Sequence, residues 1–327
     1  MRIAILDDYL RQSQRAADWS ALATTCEIEV FARPIPVMEA VAVLKPFDVI
    51  CLLRERMPFP RALIEALPNL KMLAVTGLYN RTLDVAAAAE RGIVVSYTEL
   101  RGTYRNATAE LTWGLILAVA RHIPEEAHHM RSGGWQTTVG ITLSGRTLGL
   151  LGLGRQARRV LPVAKALGMK VIAWSQNLKP ESAAEVGVER VEKDELFATS
   201  DVVSVHLVLG ERTKGIVGAR ELALMKRSAI LVNTARGPLL DEDALVHALR
   251  DRRIAGAGLD VFWHEPLADD HPLRRLPNVV LMPHQGHNVE EFYEVAYTDT
   301  VENIAAFLSG RPIRILTPER NQSSVFD

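Results

Sequence analysis

The sequence is short of several things, and each shortage excludes something. Only two cysteines occur in 327 residues, Cys26 and Cys51, and they form no CxxC pair. That rules out a disulfide framework and a thiolate metal site, and it fits a reducing compartment. Neither sign of charge is in surplus, with 38 Lys and Arg against 39 Asp and Glu. Such a balance argues against a nucleic-acid or anionic-membrane partner, so an anionic ligand has to be held by a few placed cations and backbone N–H groups. The longest apolar stretch, Leu111 to Ala120, is far too short to span a bilayer. The opening residues Met1 to Asp8 are too short and too acidic for a secretion signal, so a cytoplasmic protein is expected. Histidines at 128, 129, 264, 271 and 287 form neither HExxH nor a Cys/His cluster, and no metal is expected.

What is present is an ordinary globular balance, 48% apolar and 24% charged, in a chain long enough for two domains with their own cores. Short β-branched runs alternate with amphipathic stretches, which is the pattern of parallel α/β layers. In the first part strands are expected at Arg2–Leu6, Glu27–Phe31, Asp48–Leu52, Lys71–Val75 and Ile93–Val95. Helical stretches at Pro60–Ala66 and Leu83–Arg91 lie between them. A long helix is expected over Asn106–His122, ended by Pro124, and then a polar crossing segment to Gly145 in which Trp135 packs near the domain junction. The second alternating series has strands at Thr147–Leu151, Lys170–Trp174, Val202–Val205, Ala229–Val232, Gly258–Val261 and Val279–Met282. A helix over Glu290–Leu308 follows, and then a strand over Arg311–Leu316. The fold class is α/β, with two doubly wound parallel-sheet domains.

The first strand runs into Asp7-Asp8. The strand at Thr147–Leu151 runs instead into Gly152-Leu-Gly154-Arg155-Gln156-Ala157, ahead of a helix ending near Gly168. Gly152 permits a tight turn, Gly154 lets backbone approach a pyrophosphate, and the helix N-terminus offers free N–H groups. Strand, turn, helix and next strand are all in place, so a bound dinucleotide is favoured over an empty glycine turn, and only in the second half. The next strand ends in Ser175-Gln-Asn177 and lacks the acid that would bond the ribose hydroxyls of NAD. Ser175, Asn177 and Lys179 suit a 2′-phosphate better, so NADP(H) is preferred weakly over NAD(H).

Further motifs stand in order along the chain: Thr76-Gly77 with Asn80 and Asp84, Ala109-Glu110-Leu111, Gly134-Trp135, Met225 to Glu242, Gly258 to Pro266, and Pro283-His284-Gln285-Gly286. With the glycine turn, they make nearly the whole chain resemble the D-isomer-specific 2-hydroxyacid dehydrogenases, the group that includes D-3-phosphoglycerate dehydrogenase and glyoxylate/hydroxypyruvate reductases. The resemblance implies a Rossmann cofactor domain at 99–289 inserted into a flavodoxin-like substrate domain at 1–98 and 290–327. It places the active site in the cleft between them. It also implies a homodimer joined through the cofactor domains, and a small 2-oxo or 2-hydroxy acid as substrate.

Hydride exchange with such an acid needs a held carboxylate, a polarised and protonated carbonyl oxygen, and an aimed nicotinamide. Arg236, His284 and Glu265 match the family's set. A guanidinium clamps a carboxylate with paired donors. An imidazole with a reference pKa of about 6.5 exchanges a proton near neutrality. A glutamate on its other nitrogen fixes the tautomer. Gly152, Gly154, Arg155, Gln156, Ser175, Thr234 and Asp260 are the expected cofactor contacts, with Asp260 holding the carboxamide. Arg54, Gly77 and Leu78 are the expected substrate contacts, although Arg54 reads equally as a surface charge. Glu110 reads as structural.

Gln156-Ala157, Val208, Gln285 and His287-Asn288 depart from the usual family residues, so substrate specificity does not transfer. Two rivals stand beside the dehydrogenase reading. One is an NAD(H)-sensing protein of the co-repressor type, for which no recruiting tail is evident. The other is formate or phosphite oxidation, which is disfavoured because formate oxidation needs no His–Glu relay.

Overall fold

The computed structural model describes residues 1–99 and 101–322, and it divides into two compact units, Met1–Arg105 with the segment from Asn288 onward, and Asn106–His287. Leu100 and residues 323–327, which fall inside the domain ranges expected from sequence, lie outside the described residues.

In the first unit, five strands run β1 (Arg2–Ile5), β2 (Glu27–Val30), β3 (Val49–Leu52), β4 (Met72–Val75) and β5 (Val94–Tyr97). All neighbours are parallel, in the order β2-β1-β3-β4-β5. This is the flavodoxin-like order, which reverses direction of winding between β1 and β3. Successive side chains take opposite faces. Ile3, Ile5, Val49, Cys51, Met72 and Ala74 therefore pack beneath Phe292, Tyr297 and Ile304 of the helix Glu290–Leu308. Ala4, Leu6, Ile50, Leu52, Leu73 and Val75 form the other core with Leu44, Phe47 and Phe59. Each such fully buried aliphatic or aromatic side chain contributes about 1.5–3 kcal/mol.

Seven strands form the sheet of the second unit: β6 (Thr147–Leu151), β7 (Lys170–Trp174), β8 (Glu189–Arg190), β9 (Val202–Val205), β10 (Ile230–Asn233), β11 (Gly256–Leu259) and β12 (Val279–Leu281). Their order is β12-β11-β10-β9-β6-β7-β8, again all parallel. From β6 outward this is the dinucleotide-binding order with one strand added, and its switch point lies between β6 and β9. The helices Ala107–Ala120 and Arg155–Ala166 cover one face through Trp113, Leu115, Ile116, Val160 and Ala164. Phe197, Leu222, Leu245 and Leu249 belong to the core on the other.

Several expectations are corrected. Pro124 does not close the long helix. That helix stops at Ala120, His122 turns left-handed at φ 53°, and Pro124 then stands in the first turn of a second helix, Ile123–Arg131. A proline is tolerated there because its missing N–H has no intrahelical partner anyway. Residues 311–316 form no strand. Pro312 removes a donor, and Arg314 sits at φ 50°, outside extended conformation. A single antiparallel bridge, Ser96 to Ile315, is what remains. Trp135 is not packed, since 73% of it is exposed. β8 is only two residues long and was not expected. β11 begins two residues earlier than its apolar pattern indicates.

Candidate active site

The carboxyl ends of the parallel strands in the second unit carry the groups singled out in the sequence. At the end of β6, Gly152 adopts φ +102°, and its N–H bonds to the carbonyl of Trp174, the last residue of β7, at 2.8 Å. A Cβ there would lie 2.9 Å from the carbonyl carbon of His206, so both dihedral and space demand glycine. Gly154 caps the helix Arg155–Ala166 with no side-chain hydrogen bond, and open space lies before it. The first N–H groups of that helix therefore have no capping side chain. The side-chain Oε1 of Gln156 is buried there, with no hydrogen-bond partner among the described residues. Ser175 follows β7 directly, at the place where a ribose would be met. These features fit a dinucleotide phosphate on this turn.

β10 ends in Asn233-Thr234-Ala235-Arg236. The Asn233 side chain locks the turn, accepting from the Ala235 N–H at 3.0 Å and donating to the Arg236 carbonyl at 2.9 Å. Sequence reasoning passed over Asn233, although an asparagine closing a strand is a known turn signal. Gly237 presses this turn onto the next loop, because a Cβ there would lie 2.1 Å from the Phe262 carbonyl carbon. Close backbone contact therefore fixes the Arg236 turn against the loop that carries Glu265. Thr234 is buried, and its hydroxyl pairs with that of Thr112 at 2.9 Å.

His284 follows β12, with its Nδ1 2.6 Å from Oε2 of Glu265. The other carboxylate oxygen of Glu265 accepts the Phe262 N–H at 2.9 Å. Burial pushes the Glu265 carboxyl up. The imidazole of His284, the Phe262 N–H and the Arg236 guanidinium outweigh that and hold it below its ordinary range. Glu265 is therefore a carboxylate near neutrality, Nδ1 carries the proton, and Nε2 is the atom left for a ligand. Each partner keeps about a third of its side chain accessible, 32% for His284 and 34% for Glu265, enough to meet a small molecule. His287 stands edge-on to His284, with ring centroids 5.6 Å apart.

Asp260, just past β11, is buried. Its two oxygens accept the N–H groups of Gln285 at 2.6 Å and Gly286 at 2.8 Å. Burial raises its pKa to about 6, against the opposing pull of those N–H groups and of His284. Arg54, Gly77 and Leu78 belong to the first unit. Thr76 ties Arg54 to this turn: its hydroxyl accepts the Arg54 N–H at 2.8 Å, and the Arg54 guanidinium reaches its carbonyl at 3.5 Å. Glu110 is exposed. Among the described residues no group of three or more His, Cys, Asp or Glu side chains could hold a metal ion. No described helix is long and apolar enough to cross a membrane.

Residues 113–286 match the family model of the D-isomer specific 2-hydroxyacid dehydrogenase NAD-binding domain. The chain belongs to that family. A glyoxylate reductase of Aeropyrum pernix is 41% identical over 258 residues, covering 76% of each chain. A hydroxypyruvate reductase of Blautia hydrogenotrophica is 31% identical over 97% of this chain and 99% of its own. The crystal structure of a putative D-3-phosphoglycerate dehydrogenase from Ralstonia solanacearum superposes with a TM-score of 0.88 at 33% identity, covering 100% of this chain and 99% of that one. The protein is an NAD(P)-dependent oxidoreductase of 2-hydroxy acids. These three relatives, named as reductases or a putative dehydrogenase, favour turnover over a purely sensing role.

Proposed function

We propose that the protein interconverts a small 2-oxo acid and its D-2-hydroxy acid, with Arg236 holding the carboxylate and His284–Glu265 serving as the acid–base pair. The observation that carries this is the 2.6 Å His284–Glu265 contact, made beside the Arg236 turn that Gly237 packs onto the same loop. When bound, the nicotinamide supplies or accepts the hydride. Nε2 of His284 donates a proton to the C2 oxygen in reduction and takes it back in oxidation. Glu265 keeps the ring oriented and fixes its tautomer. The Arg236 guanidinium orients the substrate through paired bonds to its carboxylate.

On this reading the substrate domain is 1–98 with 290–327, where Arg54, Gly77 and Leu78 contact the substrate, and the cofactor domain is 99–289. Gly152, Gly154, Arg155, Gln156, Ser175, Thr234 and Asp260 then contact the cofactor. The lack of an acid after β7 supports a preference for NADP(H). The protein is cytoplasmic and a homodimer. Four exposed apolar residues, Ile123 (51%), Met130 (60%), Trp135 (73%) and Val139 (92%), favour pairing through the second unit.

Steady-state assays with a panel of 2-oxo acids, glyoxylate and hydroxypyruvate first, against NADH and NADPH test the reading. Turnover of at least one acid is expected, with a better kcat/KM for NADPH. In Arg236→Ala, substrate use should collapse while cofactor affinity holds. No turnover across the panel, or an unchanged kcat/KM in that variant, overturns it.

A further inference from the structure

His284 sits at φ 55°, a left-handed conformation that a residue with a side chain seldom takes and that lasts only where the surroundings enforce it. The enforcing contacts lie on both sides of the loop. From the sheet, the Asp260 carbonyl accepts the His284 N–H at 2.9 Å, and the Asp260 carboxylate takes the next two N–H groups, of Gln285 and Gly286. From the helix Ala107–Ala120, the Thr108 hydroxyl donates to the Gly286 carbonyl at 2.8 Å. A second threonine one turn along does the same for the other functional turn. Thr112 spends its proton on the Thr108 carbonyl at 2.8 Å, so in its 2.9 Å contact with Thr234 it accepts, and Thr234 donates. Thr234 lies in the turn that Asn233 closes, two residues before Arg236.

We infer that Thr108 is a positioning residue for His284, and that with Thr112 it makes the first two turns of this helix a rail setting the acid–base loop and the carboxylate clamp in register. The inference rests on the assignment of His284 as the proton donor. Among the described residues the Thr108 hydroxyl bonds to the Gly286 carbonyl alone. That hydroxyl meets the His284 loop from the helix side, opposite the contacts from Asp260. Losing it frees the Gly286 carbonyl and relaxes the loop toward ordinary backbone angles, which moves Nε2 without touching the cofactor turn at Gly152.

The test is a double-mutant cycle on the whole enzyme. Thr108→Val keeps the shape and removes the hydroxyl, and Thr108→Ser restores it. Thr108→Val should lower kcat roughly fivefold to tenfold, the worth of about one hydrogen bond expressed in a rate. KM for the cofactor and the Tm should stay near those of the parent, and Thr108→Ser should recover most of the rate. In a His284→Ala background, Thr108→Val should change kcat no further. An unchanged kcat in Thr108→Val while His284→Ala is crippled overturns the inference and leaves the role of His284 intact. A serine variant as slow as the valine one, or equal losses in both backgrounds, also overturns it. If His284→Ala itself turns over normally, the assignment beneath has failed instead.

Discussion

At the carboxyl end of β1 stand two aspartates, and at the carboxyl end of β6 stand two glycines. Both strands open parallel sheets that reverse their winding next to them, so the architecture gives each the same opportunity to bind an anion. The chemistry differs. Buried Asp8 accepts the N–H groups of Gln12 and Ser13, each at 2.8 Å, and so fills with its own carboxylate the place where an anionic ligand would bind. Past β6 no side chain caps the helix, Gly152 lets the turn pass close against the His206 backbone, and a Cβ at Gly154 would meet only open space. One sheet satisfies its strand-end donors internally and the other keeps them for a ligand. On the proposed reading, therefore, the fold alone does not place the cofactor; the residues after the strand do.

The sharpest way to break this contrast is to remove the proposed proton donor in the second unit. His284→Ala should lower kcat by roughly 10²–10⁴, the usual worth of general acid–base catalysis, as read from steady-state rates. Near-parent turnover would take the chemistry away from the β12 end altogether. Next in size is Gly152→Ala. A residue with φ +102° and a Cβ 2.9 Å from backbone has to shift the turn, and NADPH or NADH affinity should weaken tenfold or more. A fluorescence titration that gives the parent Kd would show that the turn is not the binding surface. The mirror experiment in the first unit is Asp8→Ala. It leaves two N–H groups without their charged acceptor and should cost about 2–3 kcal/mol of stability in a denaturant titration, with cofactor Kd unchanged. Weakened cofactor binding in that variant would erase the distinction between the two strand ends.

Much of this contrast was legible in the chain. Asp7-Asp8 against Gly152-Leu-Gly154 can be read directly, and long apolar runs such as Thr147–Leu151 gave strand limits that the structure reproduces to the residue. The brackets around the site were not legible. Asn233 bonds locally, to Ala235 and Arg236, but Thr108 acts through a single hydrogen bond to backbone far along the chain, the Gly286 carbonyl 178 residues away. No periodicity records such a contact. Local rules misled where one residue has two uses. Pro124 reads as a stop, but it opens a helix as readily as it ends one. Residues 311–316 have a β-rich composition, and the left-handed turn at Arg314 overrides it. β8, with two residues, is shorter than any pattern can reveal.

The smallest expected effect concerns acid. All nine histidines lie between His122 and His287, so acid sensitivity through imidazole belongs to the second unit. His206, whose backbone lies against Gly152, shares a 2.8 Å hydrogen bond with the Ser204 hydroxyl, and burial pushes its pKa down to about 4. In the unfolded chain a histidine titrates near 6.5. Between those values the unfolded state takes up a proton that the folded state refuses, so stability is lost as pH falls from about 6.5 to about 4. Asp260 works in the opposite sense. Raised to about 6, it holds a proton when folded that the unfolded chain releases near 3.8, and it costs stability as pH rises between those two values. The two terms offset each other between about pH 4 and 6, which leaves the His206 contribution clearest from pH 6.5 to 6. His206→Gln keeps a partner for Ser204 and cannot titrate. Its Tm should fall less than the parent's across that upper interval, while Asp8→Ala should follow the parent's slope at a lower Tm. Parallel curves for parent and His206→Gln would mean that the ring beside the glycine turn is protonated in the fold after all, and that this strand end is wetter than its packing indicates.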